Sequence, residues 1–186
     1  MQVDKNISFE DTYLTYFSKM KYFAKEYVVS DEDAENIVQD VFLELWEKRE
    51  ALTMHTNLIA FLFTAIKNRC LNHLRHKTII QDTASQLQEE YMLTLRMNLD
   101  SLEVFDQNLF SEQDIEKIIT RALNSLPEKC REIFIMSKIE GKKQQEIASE
   151  LNVSVNTVET QMGIAYKKLR VELKDYAPLL LFVLYL

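Results

Sequence analysis

The stretch that most constrains this chain runs from Gln144 to Arg170, QQEIASELNVSVNTVETQMGIAYKKLR. It reads as two helices joined by a tight turn. Ile147, Ala148 and Leu151 share one apolar face of the first helix. Asn152 suits the left-handed conformation that ends a helix, although Gly is more usual there. Ser154 stands where an N-cap belongs, and Val153 and Val158 are spaced for a hydrophobic staple across it. In the second helix Val158, Met162, Ala165 and Leu169 form the buried stripe. Asn156, Thr157, Glu159, Thr160, Gln161, Gly163 and Lys167 are left on the outward side.

This is a helix-turn-helix pattern, whose second helix can lie in a DNA major groove. A helical hairpin buried in an all-α core would share the spacing. The capped turn and an outer face rich in amides and hydroxyls, which read base edges, favour DNA. Gly163 inside a helix costs about 1 kcal/mol relative to Ala. Close approach to DNA and tight helix packing are both open as its reason.

Only two Gly and two Pro in 186 residues argue for a mostly helical chain with few tight turns, and that length allows one or two small domains. The N-terminus MQVDKNISFED lacks a basic segment followed by an apolar one, so no signal peptide is expected. No run reaches the roughly 18 apolar residues of a membrane span. Cys70 and Cys130 have no partner at metal-ligand spacing, and His55, His73 and His76 form no metal motif. Reduced, buried thiols in a cytoplasmic protein without metal or cofactor are the expectation.

The net charge of −7 argues against nucleic acid until its distribution is considered. Residues 81–120 carry nine acids against two bases, whereas 121–186 carry eight against ten. The helix-turn-helix segment is thus mildly basic and would hold DNA weakly without a partner.

Along the chain, Phe9, Tyr13, Tyr16, Phe17, Met20, Phe23 and Tyr27 recur at helical spacing over 8–28 and read as core. Ser30 caps a second helix with an acidic first turn, which suits the helix dipole. Its apolar face is Ala34, Ile37, Val38, Val41, Phe42 and Leu45. Leu43 and Trp46, beside acids at its margin, suit an interface. A third helix over 56–77 ends in Lys67, Asn68, Arg69, Asn72, His73, Arg75, His76 and Lys77. The dipole accounts for the bases, but not for two Asn four residues apart. Residues 78–112 read as a partly helical acidic linker. A second domain follows, with Pro127 opening one helix and Gly141 closing it. The last ten residues, Ala177 to Leu186, carry no charge and are expected to be buried against the chain itself or a partner.

Three stretches in this order, DAENIVQDVFLELW, NLIAFLFTAIKNRCLNHLR and ALNSLPEKCREIFIMSKIEGKKQQEIASELNVSVNTVETQMGIAYKKLR, resemble the extracytoplasmic-function (group 4) sigma factors of bacterial RNA polymerase, in a Bacteroidetes-like version. The resemblance implies an all-α chain of two small helical domains joined by an acidic linker. A sigma-2 helical bundle would span 1–78, the linker 79–111, a sigma-4 helix-turn-helix domain 112–176, and an apolar tail 177–186. It implies core polymerase and promoter DNA as partners, control by an anti-sigma factor, no enzymatic activity and no membrane insertion. Glu35, Asn36, Gln39, Asp40, Leu43 and Trp46 would meet the polymerase clamp, with Asn36 standing where the family commonly has an acid. Asn68, Asn72, His73 and Arg75 would contact the opened −10 strand, and Phe61 stands near a common Trp. The recognition helix, residues Asn156 to Lys167, would read the −35 element, with Glu159 where Lys or Arg is frequent. Asp82, Glu89, Glu90, Asp100, Glu103 and Asp106 would occupy a basic RNA channel, or simply keep a linker extended. The competing reading is a stand-alone helix-turn-helix regulator, and behind it a pure protein-interaction module.

Overall fold

The structure, a computed structural model, describes residues 9–48, 55–81, 89–106 and 111–186. All regular elements among them are helical. In order they are α1 (Phe9–Val28), α2 (Asp31–Lys48), α3 (His55–Gln81), α4 (Glu89–Asp106), α5 (Glu112–Asn124), α6 (Glu128–Phe134), α7 (Gln144–Glu150), α8 (Val155–Glu172) and α9 (Ala177–Tyr185). The chain divides into two compact units within α5, after Ile115.

In the first unit α1 packs on α2 and α3, and α4 packs on α1 and α3. The aromatic stripe of α1 is core at Tyr16, Phe23 and Tyr27, and Phe42 and Leu45 of α2 and Leu62, Phe63 and Ile66 of α3 are buried with it. Phe23 meets Phe63 at 6.1 Å, and Phe17 meets Phe42 at 5.7 Å, between ring centres. The turn between α1 and α2 is strained. Val29 has φ 65° and is exposed, while Ser30 N donates to Val28 O at 2.7 Å across it. A β-branched residue in the left-handed region costs about 1–2 kcal/mol. Ser30 caps α2 through its hydroxyl, which accepts from Asp33 N at 3.3 Å.

The acidic stretch 79–111 is helical in part, as expected, and its described helix packs on α1 and α3. It supplies the end of α3 and the whole of α4, whose Leu95 and Leu102 are fully buried. Asn98 Nδ2 donates to Glu26 O and Tyr27 O, at 3.1 and 2.7 Å, so it caps the carbonyl end of α1. Asp82 lies outside the described residues.

In the second unit α6 and α7 pack on α8. Cys130, Ile133 and Phe134 of α6, Ile147 and Ala148 of α7, and Val158, Met162, Ala165 and Leu169 of α8 make the core. Helix α6 passes at Ile135 into a π-turn that ends at Ile139, so the single regular helix expected here widens before its stop. Gly141, with φ 69°, ends it, and Lys142 N donates to Met136 O at 3.0 Å. The apolar tail forms α9, with Leu179, Phe182, Val183 and Leu186 buried. Lys138 Nζ donates to Leu184 O at 3.4 Å, which ties that end of the chain to the π-turn. No described helix is long and apolar enough to cross a membrane.

Candidate nucleic-acid interface

The turn between α7 and α8 is built by local hydrogen bonds. Asn152 takes φ 51°, Val153 N donates to Ala148 O at 2.9 Å, and Asn152 N donates to Ser149 O at 3.3 Å. This pair of bonds is a Schellman motif with Asn in the left-handed position. Ser154, extended at φ −77° and ψ 154°, accepts from Thr157 N at 3.0 Å and so caps α8. Lys142 Nζ, 2.7 Å from Glu150 and 3.0 Å from Glu140, fastens the preceding loop to α7, and Glu150 first, then Glu140, raises its pKa.

The expected base-reading residues of α8 are not equivalent. Asn156, Glu159, Gly163 and Lys167 are exposed. Thr157 is half-buried and shares a 2.8 Å hydroxyl contact with Ser154, so its oxygen belongs to the cap. Thr160 is exposed, but its hydroxyl donates back to Asn156 O at 2.8 Å. Gln161 is half-buried, and its backbone carbonyl accepts from Cys130 Sγ at 3.2 Å. Ile164, assigned to neither face from the sequence, is exposed beside Gly163. Its position one residue before buried Ala165 was the available signal. Cys70 and Cys130 are both free and buried, and burial pushes the Cys70 thiol up to about 12.

On α3 most of the cations are answered by acids. Arg69 Nη1 lies 3.1 Å from Glu44, and its Nη2 reaches Asp40 O at 3.5 Å. Lys77 Nζ is 3.0 Å from Asp33 Oδ2, and His73 Nε2 is 3.4 Å from the same oxygen. Arg75 Nε is 2.9 Å from Glu103 on α4. Lys67 is buried. The exposed residues of this end include Asn68 and Asn72, one turn apart. Phe61 is buried, with Lys48 Nζ 5.3 Å from its ring centre, so it is not placed to stack on a base.

On α2 the exposed residues Asn36, Gln39, Asp40, Leu43 and Trp46 follow one another at helical spacing and form a single outer stripe. Leu43 is 61% exposed and Trp46 43%. Glu35 does not share it: it is half-buried, and its carboxylate is 2.6 Å from Lys21 of α1. At the stripe's end Trp46 meets Phe9 edge-on at 4.9 Å, and an open groove lies among Phe9, Glu10, Tyr13, Leu14 and Trp46. Among the described residues no group of His, Cys, Asp and Glu is placed to hold a metal ion.

Residues 12–79 match the family model for sigma-70 region 2, and residues 116–169 match that for sigma-70 region 4. Curated relatives span nearly the same length. The ferric citrate uptake sigma factor FecI of Escherichia coli (strain K12) is 25% identical over 160 residues, 86% of this chain and 87% of that protein. The ECF RNA polymerase sigma factor SigW of Bacillus subtilis (strain 168) is 21% identical over 143 residues, 77% of this chain and 76% of that one. The RNA polymerase sigma factor CarQ of Myxococcus xanthus is 24% identical over 163 residues, 88% and 87%.

Proposed function

We propose, from the premise that a chain carrying sigma-70 regions 2 and 4 in this order is an RNA polymerase sigma factor, that it is one of the extracytoplasmic-function type in its Bacteroidetes-like form. It acts in the cytoplasm, brings core polymerase to specific promoters and has no enzymatic activity of its own. The observation that carries this is the pairing, in one chain, of a capped helix-turn-helix with an N-terminal bundle matching region 2. A stand-alone regulator would instead carry a ligand or receiver domain beside its helix-turn-helix.

In this reading the stripe Asn36, Gln39, Asp40, Leu43 and Trp46 meets the polymerase. One acid, Asp40, and two amides, Asn36 and Gln39, adjoin two apolar anchors, the composition of an interface centre with a polar rim. Asn68 and Asn72 meet the opened −10 strand through amides, which can donate to and accept from base edges. Asn156, Glu159 and Lys167 meet the −35 duplex. Glu159 can accept from cytosine N4 and repels phosphate, so the promoter read here differs from those read by members with Lys or Arg at that place. His73, Glu35 and Thr157 support these surfaces from behind, through their ties to Asp33, Lys21 and Ser154, whereas exposed Arg75 stays on the strand-binding face with Glu103 beside it.

An anti-sigma factor holds the protein until its signal arrives. The apolar tail either completes the C-terminal core or restrains the free protein, and the burial of Leu179 and Phe182 supports the first. Deleting residues 178–186 separates the two. A large loss of melting temperature favours the core role, and tighter polymerase binding with little loss favours restraint.

The deciding experiment is co-purification with bacterial core RNA polymerase, followed by transcription from promoter DNA with and without the chain. Specific initiation that needs the chain is expected. Absence of polymerase binding by the anti-sigma-free protein, with and without its tail, would move the stand-alone regulator to first place.

A further inference from the structure

Gly163 sits within α8, between Val155 and Glu172, where the fold itself gives no reason for a glycine. It is exposed, and its φ is not positive, unlike that of Gly141. A Cβ built on it would meet nothing within 4 Å. Of the two reasons that the sequence left open, tight packing inside the described chain is therefore removed. A helix interior with a glycine is less stable than the same helix with alanine. A position that lowers stability without packing or backbone need belongs with functional sites.

The neighbours indicate what approaches. Helical spacing places Asn156, Thr160, Gly163 and Lys167 in one row. Toward the N-terminus stand the exposed Asn156 and Glu159, whose side chains suit base edges. Toward the C-terminus stand exposed Lys167, Lys168 and Arg170, which suit phosphates. Gly163 lies where the row passes from the first chemistry to the second. A helix entering a major groove by its N-terminal end crosses the sugar-phosphate wall partway along its length. A side chain at that crossing holds the helix away from the wall and lifts the residues ahead of it off the bases.

We propose that Gly163 is the clearance point of α8 against the sugar-phosphate backbone of duplex DNA, and that its lack of a side chain sets how deeply Asn156 and Glu159 reach into the groove. This rests on the promoter-binding reading above. Because the contact is with backbone, enlarging residue 163 weakens binding to all promoters alike instead of changing the preferred base at one position.

The test uses the full chain, core polymerase from the same bacterium, and sheared genomic DNA of that bacterium, with transcript 5′ ends counted. Gly163→Ala is expected to raise the melting temperature by a few degrees. It should lower transcripts from all chain-dependent start sites by about tenfold, which corresponds to a wall contact of ordinary strength. Core polymerase affinity should stay unchanged, and Gly163→Gln should lose more than Gly163→Ala. Unchanged transcription in a stabilised Ala variant would overturn the clearance role while leaving the sigma reading intact. A lower melting temperature would overturn it too, by showing that the fold needs the glycine. Loss of polymerase affinity in step with transcription would place a protein, not DNA, at residue 163. If the unmodified chain yields no dependent start sites, the promoter-binding reading fails and the proposal with it.

Discussion

Arg75 Nε lies 2.9 Å from Glu103 Oε1, which joins a base at the end of α3 to an acid of α4. The family resemblance places Arg75 on a strand-binding face, and Glu103 among linker acids that either fill a basic channel or keep the linker extended. Their contact puts the acid of the second where the cation of the first would meet phosphate. The stretch 79–111 thereby acts on the neighbouring surface through a packed helix.

Glu103→Gln should therefore raise affinity for single-stranded DNA. The pair is largely exposed, so the stability cost should be under about 1 kcal/mol. Removing one acid beside the face should steepen the dependence of log K on log salt by roughly 0.7, the value for one added phosphate neutralised on a single strand. Fluorescence anisotropy of a labelled oligonucleotide across a salt series measures this. An unchanged slope would mean that Arg75 does not face the strand at all.

The contrast between what was and was not legible follows from the range of each interaction. The α7–α8 turn was readable because Asn152 and Ser154 bond to residues within five positions along the chain. The core faces were readable because helical period reports which side is apolar. Period does not report which helix lies opposite, and so the partners of Glu35, Arg69, His73 and Arg75 were not visible. Helix α4 was obscured by its acids. Its signal was present in Tyr91, Leu95, Asn98 and Leu102, at spacings of three and four, with both leucines buried and Asn98 capping α1. The strain at Val29 had no sequence signal, because neither Gly nor Asn marks that turn.

Asn68→Ala and Asn72→Ala should separate folding from opening. Both side chains are exposed, and such surface changes usually alter stability by no more than about 0.5 kcal/mol. If they hold bases of the opened strand, each single variant should bind polymerase and duplex normally but form the open complex about tenfold less, the loss of one good amide–base pair, and the double variant should lose more. Permanganate reactivity of promoter thymines reports the open complex. Normal opening by the double variant would remove the −10 role from this face.

Leu43→Glu should weaken polymerase binding with little effect on the melting temperature, because Leu43 is 61% exposed on the α2 stripe. An apolar anchor at an interface centre commonly carries 1–2 kcal/mol or more, so the expected loss of affinity is about tenfold. Trp46→Ala should lose both affinity and some stability, since its ring also packs on Phe9 at 4.9 Å. Co-purification with core polymerase at fixed salt gives the readout. Equal recovery of Leu43→Glu and the unmodified chain would take the stripe out of the interface.

His73 gives the first unit an acid-sensitive joint between α2 and α3. Burial lowers its pKa below 6.5, and Lys77 and His76 act in the same direction, while Asp33 opposes them. Its Nε2 is buried and makes no hydrogen bond, although Asp33 Oδ2 is 3.4 Å away. The unfolded chain takes up a proton at this residue near pH 6.5, whereas the folded chain resists until lower pH. In that window the unfolded state binds more protons, so stability falls as pH drops. Asp33 behaves separately. Burial raises its pKa, but Lys77 first and then His73 hold it below the ordinary 3.8, so its contribution is lost only when pH falls through that lower value. Melting temperatures measured from pH 7.5 to 5.5 should therefore decline, and His73→Gln, which cannot titrate, should flatten the decline. An equal slope in the variant would place the acid sensitivity elsewhere.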